Sequence, residues 1–225
     1  MPPGMAIEDL PVIDVVLLSH DHYDHADVHS IRRLRDRFPG AAWFVPMGVK
    51  KMLRRLRVPV VRELDWWDNE KSDNLTVTGV PAQHFSGRTF RRNRSLWCGF
   101  VLAGGNRKVY FVGDTGWFPD FPETAKRCGP FDIILMPIGA YEPRWFMRPV
   151  HMDPEEAVRA YQSLVNGIPQ TRASHMVANH WGTFKLTPEP LEEPPRRVRD
   201  AWAKQRLPAK QLWVMAHGET RWLPE

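Results

Sequence analysis

Apolar positions along this chain fall into short runs that alternate between two periods. Val15, Val16, Leu17 and Leu18 are continuous and β-branched at first, and predict a buried strand within residues 12–18 after a Pro-rich loop over residues 1–11. Val28, Ile31, Leu34 and Phe38 then recur at helical spacing with arginines between them, until Pro39-Gly40 stops the helix. Residues 42–45 predict a short strand. Val49, Met52, Leu53 and Leu56 mark a second amphipathic helix whose outer face carries Lys50, Lys51, Arg54, Arg55 and Arg57. Segments 58–62 and 75–80 read as strands. Residues 96–103 and 108–112 flank the turn Gly104-Gly105-Asn106 and predict a hairpin. Residues 132–136 form another buried run, ending at Pro137. Asp153-Pro154-Glu155-Glu156 predicts a helix start, with Asp as cap, Pro in the first turn and Glu behind it. Late strands fall at 176–179 and 212–216, with a Pro-bounded helix near 195–206 between them. Strands that are both paired and alternating with helices predict an α/β sandwich, sheets inside and helices outside. No repeat or flexible linker interrupts residues 1–225, so one domain is expected.

Composition adds bounds. Hydrophobic residues at 43% and charged residues at 25% are ordinary globular values, and 225 residues can bury one large core. No apolar run approaches a membrane-spanning length, and no signal peptide opens the chain. Two cysteines, Cys98 and Cys128, do not make a disulfide framework, so a cytoplasmic location is expected. The net charge of +5 reads first as a solvated basic exterior and only second as a surface for anionic partners.

The first strand delivers His20-Asp21-His22-Tyr23-Asp24-His25, three histidines and two aspartates within six residues. Residues two apart at a strand end share a side, so His20 and His22 can reach one ion together. Asp24 and His25 follow after the chain has turned and can serve a second. Imidazole with carboxylate suits zinc, and also manganese or iron. The same residue types then recur just past other strands: His84 after 75–80, Asp114 in Gly113-Asp114-Thr115-Gly116, and His180 before Trp181-Gly182. Any one of these alone reads as an ordinary polar residue; as a set they predict a metal site along one sheet edge. The glycines beside Asp114 are expected to let backbone approach the metals.

That succession of residues resembles the metallo-β-lactamase fold superfamily. The blocks Gly129-Pro130-Phe131-Asp132, Pro137-Ile138-Gly139-Ala140-Tyr141-Glu142-Pro143-Arg144-Trp145-Phe146-Met147, His151-Met152-Asp153-Pro154-Glu155-Glu156-Ala157 and His180-Trp181-Gly182-Thr183-Phe184 resemble its N-acylphosphatidylethanolamine-hydrolysing phospholipase D branch and the bacterial relatives of that branch, from about residue 11 to about residue 200. The resemblance implies an αββα four-layer sandwich with two zinc ions per chain. His20, His22 and His84 would hold one, Asp24, His25 and His180 the other, with Asp114 bridging. Because only nineteen residues precede His20, some N-terminal strands of the first sheet are expected to be lacking.

The expected chemistry is phosphodiester hydrolysis by a hydroxide bridging the two ions, with Asp24 and His151 as catalytic side chains. For His151 the resemblance implies a place near the metals and a role in acid catalysis or phosphate contact, beside which stands a plain place in the cap region before the Asp153 helix. The basic loop of Arg88, Arg91, Arg92 and Arg94 is a candidate for an anionic headgroup, or else a solvated loop. Trp117, Trp145, Phe146 and Trp181 are candidates for an acyl groove, or else core packing. His29, His175, His217 and both cysteines read as structural. Expected partners are an anionic phosphodiester or phospholipid, a peripheral membrane contact and a second copy of the chain, with no nucleic acid. A sugar-phosphate lactonase is the alternative enzyme, since only the pocket would differ. A metal-binding fragment with little activity is the non-catalytic alternative. A β-lactamase is disfavoured, because those with two zincs commonly carry cysteine where Asp114 stands. A nuclease is disfavoured by the short span from Asp114 to His180.

Overall fold

The computed structural model describes residues 3–88, 91–169 and 172–223; Met1 and Pro2 of the predicted opening loop lie outside them. The first apolar run becomes β1 (Val15–Leu17). The Arg-studded helix is α1 (Val28–Arg37), begun by Asp27, whose carboxylate accepts a hydrogen bond from Ser30 N at 2.7 Å. β2 (Ala42–Pro46), α2 (Lys50–Arg55) and β3 (Val61–Leu64) follow. β3 starts at Val61 rather than at residue 58, because Arg57 turns the chain at φ 60 and Val58 N donates to Leu53 O at the end of α2. These three strands form a parallel sheet in the order β1-β2-β3, with β1 at one edge, pairing with β2.

Next come β4 (Asn69–Ser72), β5 (Leu75–Val80), the small ribbon β6 (Gly87–Arg88) and β7 (Arg91–Arg92), then β8 (Gly99–Gly104) and β9 (Arg107–Phe111). The remainder is α3 (Phe121–Cys128), β10 (Ile133–Pro137), α4 (Arg144–Met147), α5 (Pro154–Val165), β11 (His175–Asn179), α6 (Glu193–Lys204) and β12 (Leu212–Trp213). Seven of these strands make the second sheet, in the order β12-β11-β10-β9-β8-β5-β4. The predicted hairpin is β8–β9, antiparallel, with Gly104 opposite Arg107. The last strand is shorter than 212–216: only Leu212 and Trp213 pair with β11, and Ala216 already belongs to a turn closed by Glu219. The pattern of apolar positions also passed over β4 and α3. β4 is an edge strand with Asn69, Glu70 and Lys71 exposed, a composition that blunts an edge but carries no apolar alternation. α3 is too short to repeat its apolar face of Phe121 and Ala125.

Three cores separate four layers. Ile31, Leu34, Met52 and Leu53 of α1 and α2 cover Val16, Leu18, Trp43 and Val45 on the outer face of the first sheet. The alternate residues Val15, Leu17, Ala42 and Phe44 face inward, against Val77, Phe100, Leu102 and Phe111 of the second sheet. The far face of that second sheet, Val101, Tyr110, Ile134, Met136 and Met176, packs on Phe121 of α3, Val158 and Tyr161 of α5, and Val198 and Trp202 of α6. This is an αββα sandwich. Period-two alternation sends neighbouring residues of one strand to different cores, and β2, buried on both faces, therefore reads as an unbroken apolar run. Each large side chain so buried contributes about 1.5–3 kcal/mol. Among the described residues no helix is long and apolar enough to cross a membrane.

Candidate metal centre

Strand direction brings the candidate ligands together. β5 runs antiparallel to β8, and β8 antiparallel to β9, while β9, β10 and β11 are parallel. β5, β9 and β11 therefore end at the same edge, and His84, Asp114 and His180 each lie just beyond one of those ends. The first sheet supplies the rest. Leu18 N still donates to Phe44 O, Cys98 N donates to Ser19 O across the two sheets, and the chain then coils, with His25 N and Ala26 N both donating to His22 O. That single turn is what reverses Asp24 and His25 relative to His20 and His22. Gly113 adopts φ 69, and a Cβ there would stand 3.0 Å from both Cys98 O and Ser19 Cβ. Its freedom thus serves close approach of β9 to the Ser19 segment, rather than approach of backbone to a metal.

The resulting cluster has Asp114 at its centre. Asp114 Oδ2 lies 2.9 Å from His25 Nε2 and 3.2 Å from His180 Nε2, and 3.8 Å from both His20 Nε2 and His84 Nε2. On one side, His22 Nδ1 is 2.8 Å from His20 Nε2 and 3.3 Å from His84 Nε2. On the other, Asp24 Oδ2 is 3.3 Å from His25 Nε2 and 3.7 Å from His180 Nε2. All seven predicted ligands are brought to one place, in the two groups of three expected, with Asp114 between. His151 joins them: a ring nitrogen falls within 4.8 Å of donor atoms of His84 and Asp114, and the ring stacks on His180 at 5.4 Å.

The fit to divalent metal is chemical as well as geometric. Five imidazoles and two carboxylates converge with donor atoms facing inward, and such a set suits borderline cations. His84 Nδ1 donates to Val150 O at 2.9 Å, which leaves Nε2 as a lone-pair donor toward the cluster. Ser19 Oγ stands 3.0 Å from His20 Nδ1 and 3.5 Å from His25 Nδ1, aiming both rings. Electrostatics divide the histidines. Burial holds His20 well below its usual pKa, lowers His84 to about 4 and lowers His151 to about 3. Burial acts on His25 and His180 in the same direction, but Asp114 outweighs it and raises them to about 9 and about 10. Burial would raise Asp114 too, yet His180 and His25 hold its carboxyl well below the carboxylate range.

A cleft of about 690 Å³, open to solvent, leads away from Asp24, His25 and His180 and is lined further by Trp181, Phe184 and Leu186. Of the four aromatics considered for a groove, only Trp181 lines it. Trp117 packs against the second sheet's outer core with the Arg159 guanidinium 3.9 Å over its ring, and Trp145 is 84% exposed, edge-on to Phe146. Arg88 is likewise not a free cation for a headgroup. It donates to Asp21 O and Ala26 O and lies 4.1 Å over the Tyr23 ring, strapping the motif loop, while Gly87 N donates to Asp21 Oδ1. Arg91, Arg92 and Arg94 are exposed.

Several residues escaped the sequence reading. Ser19 immediately precedes the motif and had no separate signature. Glu189, buried, accepts from Tyr141 N and Glu142 N and fastens one wall of the cleft to the segment before α4. His217, read as structural, has its Nε2 3.0 Å from Thr183 Oγ1 on another wall. His175 packs on Trp213 with ring centroids 4.7 Å apart, and both cysteines are free.

Comparison with known proteins gives three findings. Residues 1–181 match the family model described as Beta-lactamase superfamily domain. An uncharacterized protein of Mycobacterium tuberculosis is 43% identical over 88% of this chain and 52% of its own length, and the N-acyl-phosphatidylethanolamine-hydrolyzing phospholipase D 1 of Caenorhabditis elegans is 37% identical over 88% of this chain and 57% of its own. The chain spans about half the length of the curated relatives it matches. Igni18, a metallo hydrolase from Ignicoccus hospitalis, superposes with a TM-score of 0.70 at 22% identity, over 95% of this chain and 82% of that one.

Proposed function

We propose, from the premise that this chain belongs to the beta-lactamase superfamily, that it is a metal-dependent phosphodiesterase that holds two zinc ions and cleaves an acylated phosphodiester such as an N-acyl phospholipid. The observation that carries this reading is the place of Asp114 Oδ2 between His25 and His180 on one side and His20 and His84 on the other. His20, His22 and His84 would hold one ion, Asp24, His25 and His180 the other, with Asp114 common to both. Two divalent ions so held would supply a water of lowered pKa and positive charge for the phosphoryl oxygens.

The chain's own residues do the rest. Ser19 and the Val150 carbonyl aim the imidazoles. Trp181, Phe184 and Leu186 offer apolar surface to an acyl chain beside the reacting group. His151, whose ring packs against those of His84 and His180, would serve a phosphoryl or leaving-group oxygen in this reading. The Caenorhabditis elegans relative supports the choice of substrate class.

The test is a screen of the metal-loaded protein on a chromogenic phosphodiester, an N-acyl phospholipid, a lactone and a cephalosporin. Diester or phospholipid hydrolysis that disappears with chelator is expected. Lactone turnover without diester turnover would put the lactonase reading first, and metal uptake with no turnover at all would leave a metal-binding fragment.

A further inference from the structure

We infer that Arg144 is a positioning residue for His151, its guanidinium holding the backbone from which His151 reaches the metal centre. The His151 ring is buried, meets His84 edge-on at 5.0 Å and stacks on His180, but its Nδ1 has no hydrogen-bond partner among the described residues. A ring without such a partner takes its position from ring packing and from its own backbone. That backbone is held by His151 N donating to Met147 O, by Met152 N donating to Thr115 O, and by Arg144 Nη1 donating to His151 O at 2.9 Å. The same guanidinium places Nη2 2.5 Å from Glu156 Oε2 and Nε 3.4 Å from Asp153 Oδ2, at the start of α5. Arg144 therefore ties the carbonyl of His151 to the first turn of a helix that is itself packed into the core.

A planar guanidinium can serve a carbonyl and two carboxylates at once, whereas an ammonium cannot span them. Loss of the Arg144 charge does not strand Glu156, because Arg148 Nε lies 3.2 Å and Arg159 Nη2 3.8 Å from its carboxylate. The contribution of Arg144 is thus geometric. The kinetic form of this inference rests on the phosphodiesterase reading; its spectroscopic form does not.

The experiment compares Arg144→Met and Arg144→Lys, each alone and combined with His151→Ala, in the metal-loaded full chain. kcat and KM are read on bis(4-nitrophenyl) phosphate, bound metal by elemental analysis, and the His151 ring by a proton–carbon correlation spectrum of isotope-labelled histidine, assigned by the signal lost in His151→Ala. Arg144→Met is expected to lower kcat about tenfold with little change in KM or bound metal, and Arg144→Lys to recover part of the loss. In the His151→Ala background the same substitution should cost less than about twofold, since residues acting as a unit are not additive. The His151 signal should shift in Arg144→Met while that of His175, at the opposite end of β11 from His180 and assigned by its loss in His175→Ala, does not. An equal kcat loss in both backgrounds, a loss that follows bound metal, or an unshifted His151 signal would overturn the proposal. If Arg144→Met does not fold, Arg144→Lys carries the same comparisons. If the parent protein hydrolyses no diester, the phosphodiesterase reading fails, and the His151 signal alone decides the role of Arg144.

Discussion

Asp114 Oδ2 lies 2.9 Å from His25 Nε2, joining the end of a strand in the second sheet to a loop that leaves the first. The contact bridges the two sheets at their shared edge, so the centre exists only when both sheets are docked. Replacing Asp114 by Asn keeps the shape but removes the charge between the two histidine groups. Metal affinity should fall by more than the roughly 10–100-fold typical of losing an outer-shell partner. Equilibrium dialysis against zinc checks this, and unchanged affinity would refute a shared role for Asp114.

His84 and His180 lie on opposite sides of that carboxylate. His84→Ala and His180→Ala should each empty one position, leaving about one ion per chain against about two expected for the parent, and each should remove most activity. Elemental analysis of the purified variants decides it. Full depletion by either single substitution would mean that the two positions do not fill independently.

Ser19→Ala deletes the hydroxyl between His20 Nδ1 and His25 Nδ1 without touching a ligand. Loss of this orienting group should lower metal affinity about 10–100-fold and leave stoichiometry at saturation intact. A titration curve that overlays the parent's would show that ring packing alone aims the two imidazoles.

Proton release follows from the raised histidines. In the metal-free fold, against the effect of burial, Asp114 pushes His25 up to about 9 and His180 up to about 10, so this pair of rings holds proton charge at neutral pH that ligation must displace. A folded pKa raised above the ordinary 6.5 stabilises the metal-free fold below that value, and the contribution is lost as pH climbs through 9 to 10. Metal uptake near neutral pH should therefore release protons, fewer as pH approaches 10, and its stabilising effect should grow with pH. Calorimetric titration in buffers of different ionisation enthalpy counts them; a count of zero near neutrality contradicts the assigned protonation.

Chelation should lower the melting temperature. Metal at about a thousand times its dissociation constant adds roughly 4 kcal/mol to the folded state, which for a chain of this length corresponds to about 8–16 °C. Differential scanning calorimetry with and without chelator reads the shift, and coincident melts would mean that the ligand cluster forms no site.

The local elements and the kind of chemistry were determined by the sequence by itself. β2, the β8–β9 hairpin, the helical spacing of Val28, Ile31 and Leu34, the Asp153 helix start and the candidate ligands from His20 to His180 follow from periodicity, cap chemistry and strand-end position, which are properties of neighbouring residues. The tertiary structure alone decided what depends on residues far apart in the chain. It committed Arg88 to Asp21 O and Ala26 O, placed Trp117 in a core and Trp145 in solvent, set Arg144 on the carbonyl of His151, and gave Gly113 its reason in Ser19 and Cys98. An arginine or tryptophan carries no local mark of which distant carbonyl, carboxylate or ring will meet it. That is settled by the order and direction in which the strands pack, the same ordering that brings β1, β5, β9 and β11 to end around one carboxylate.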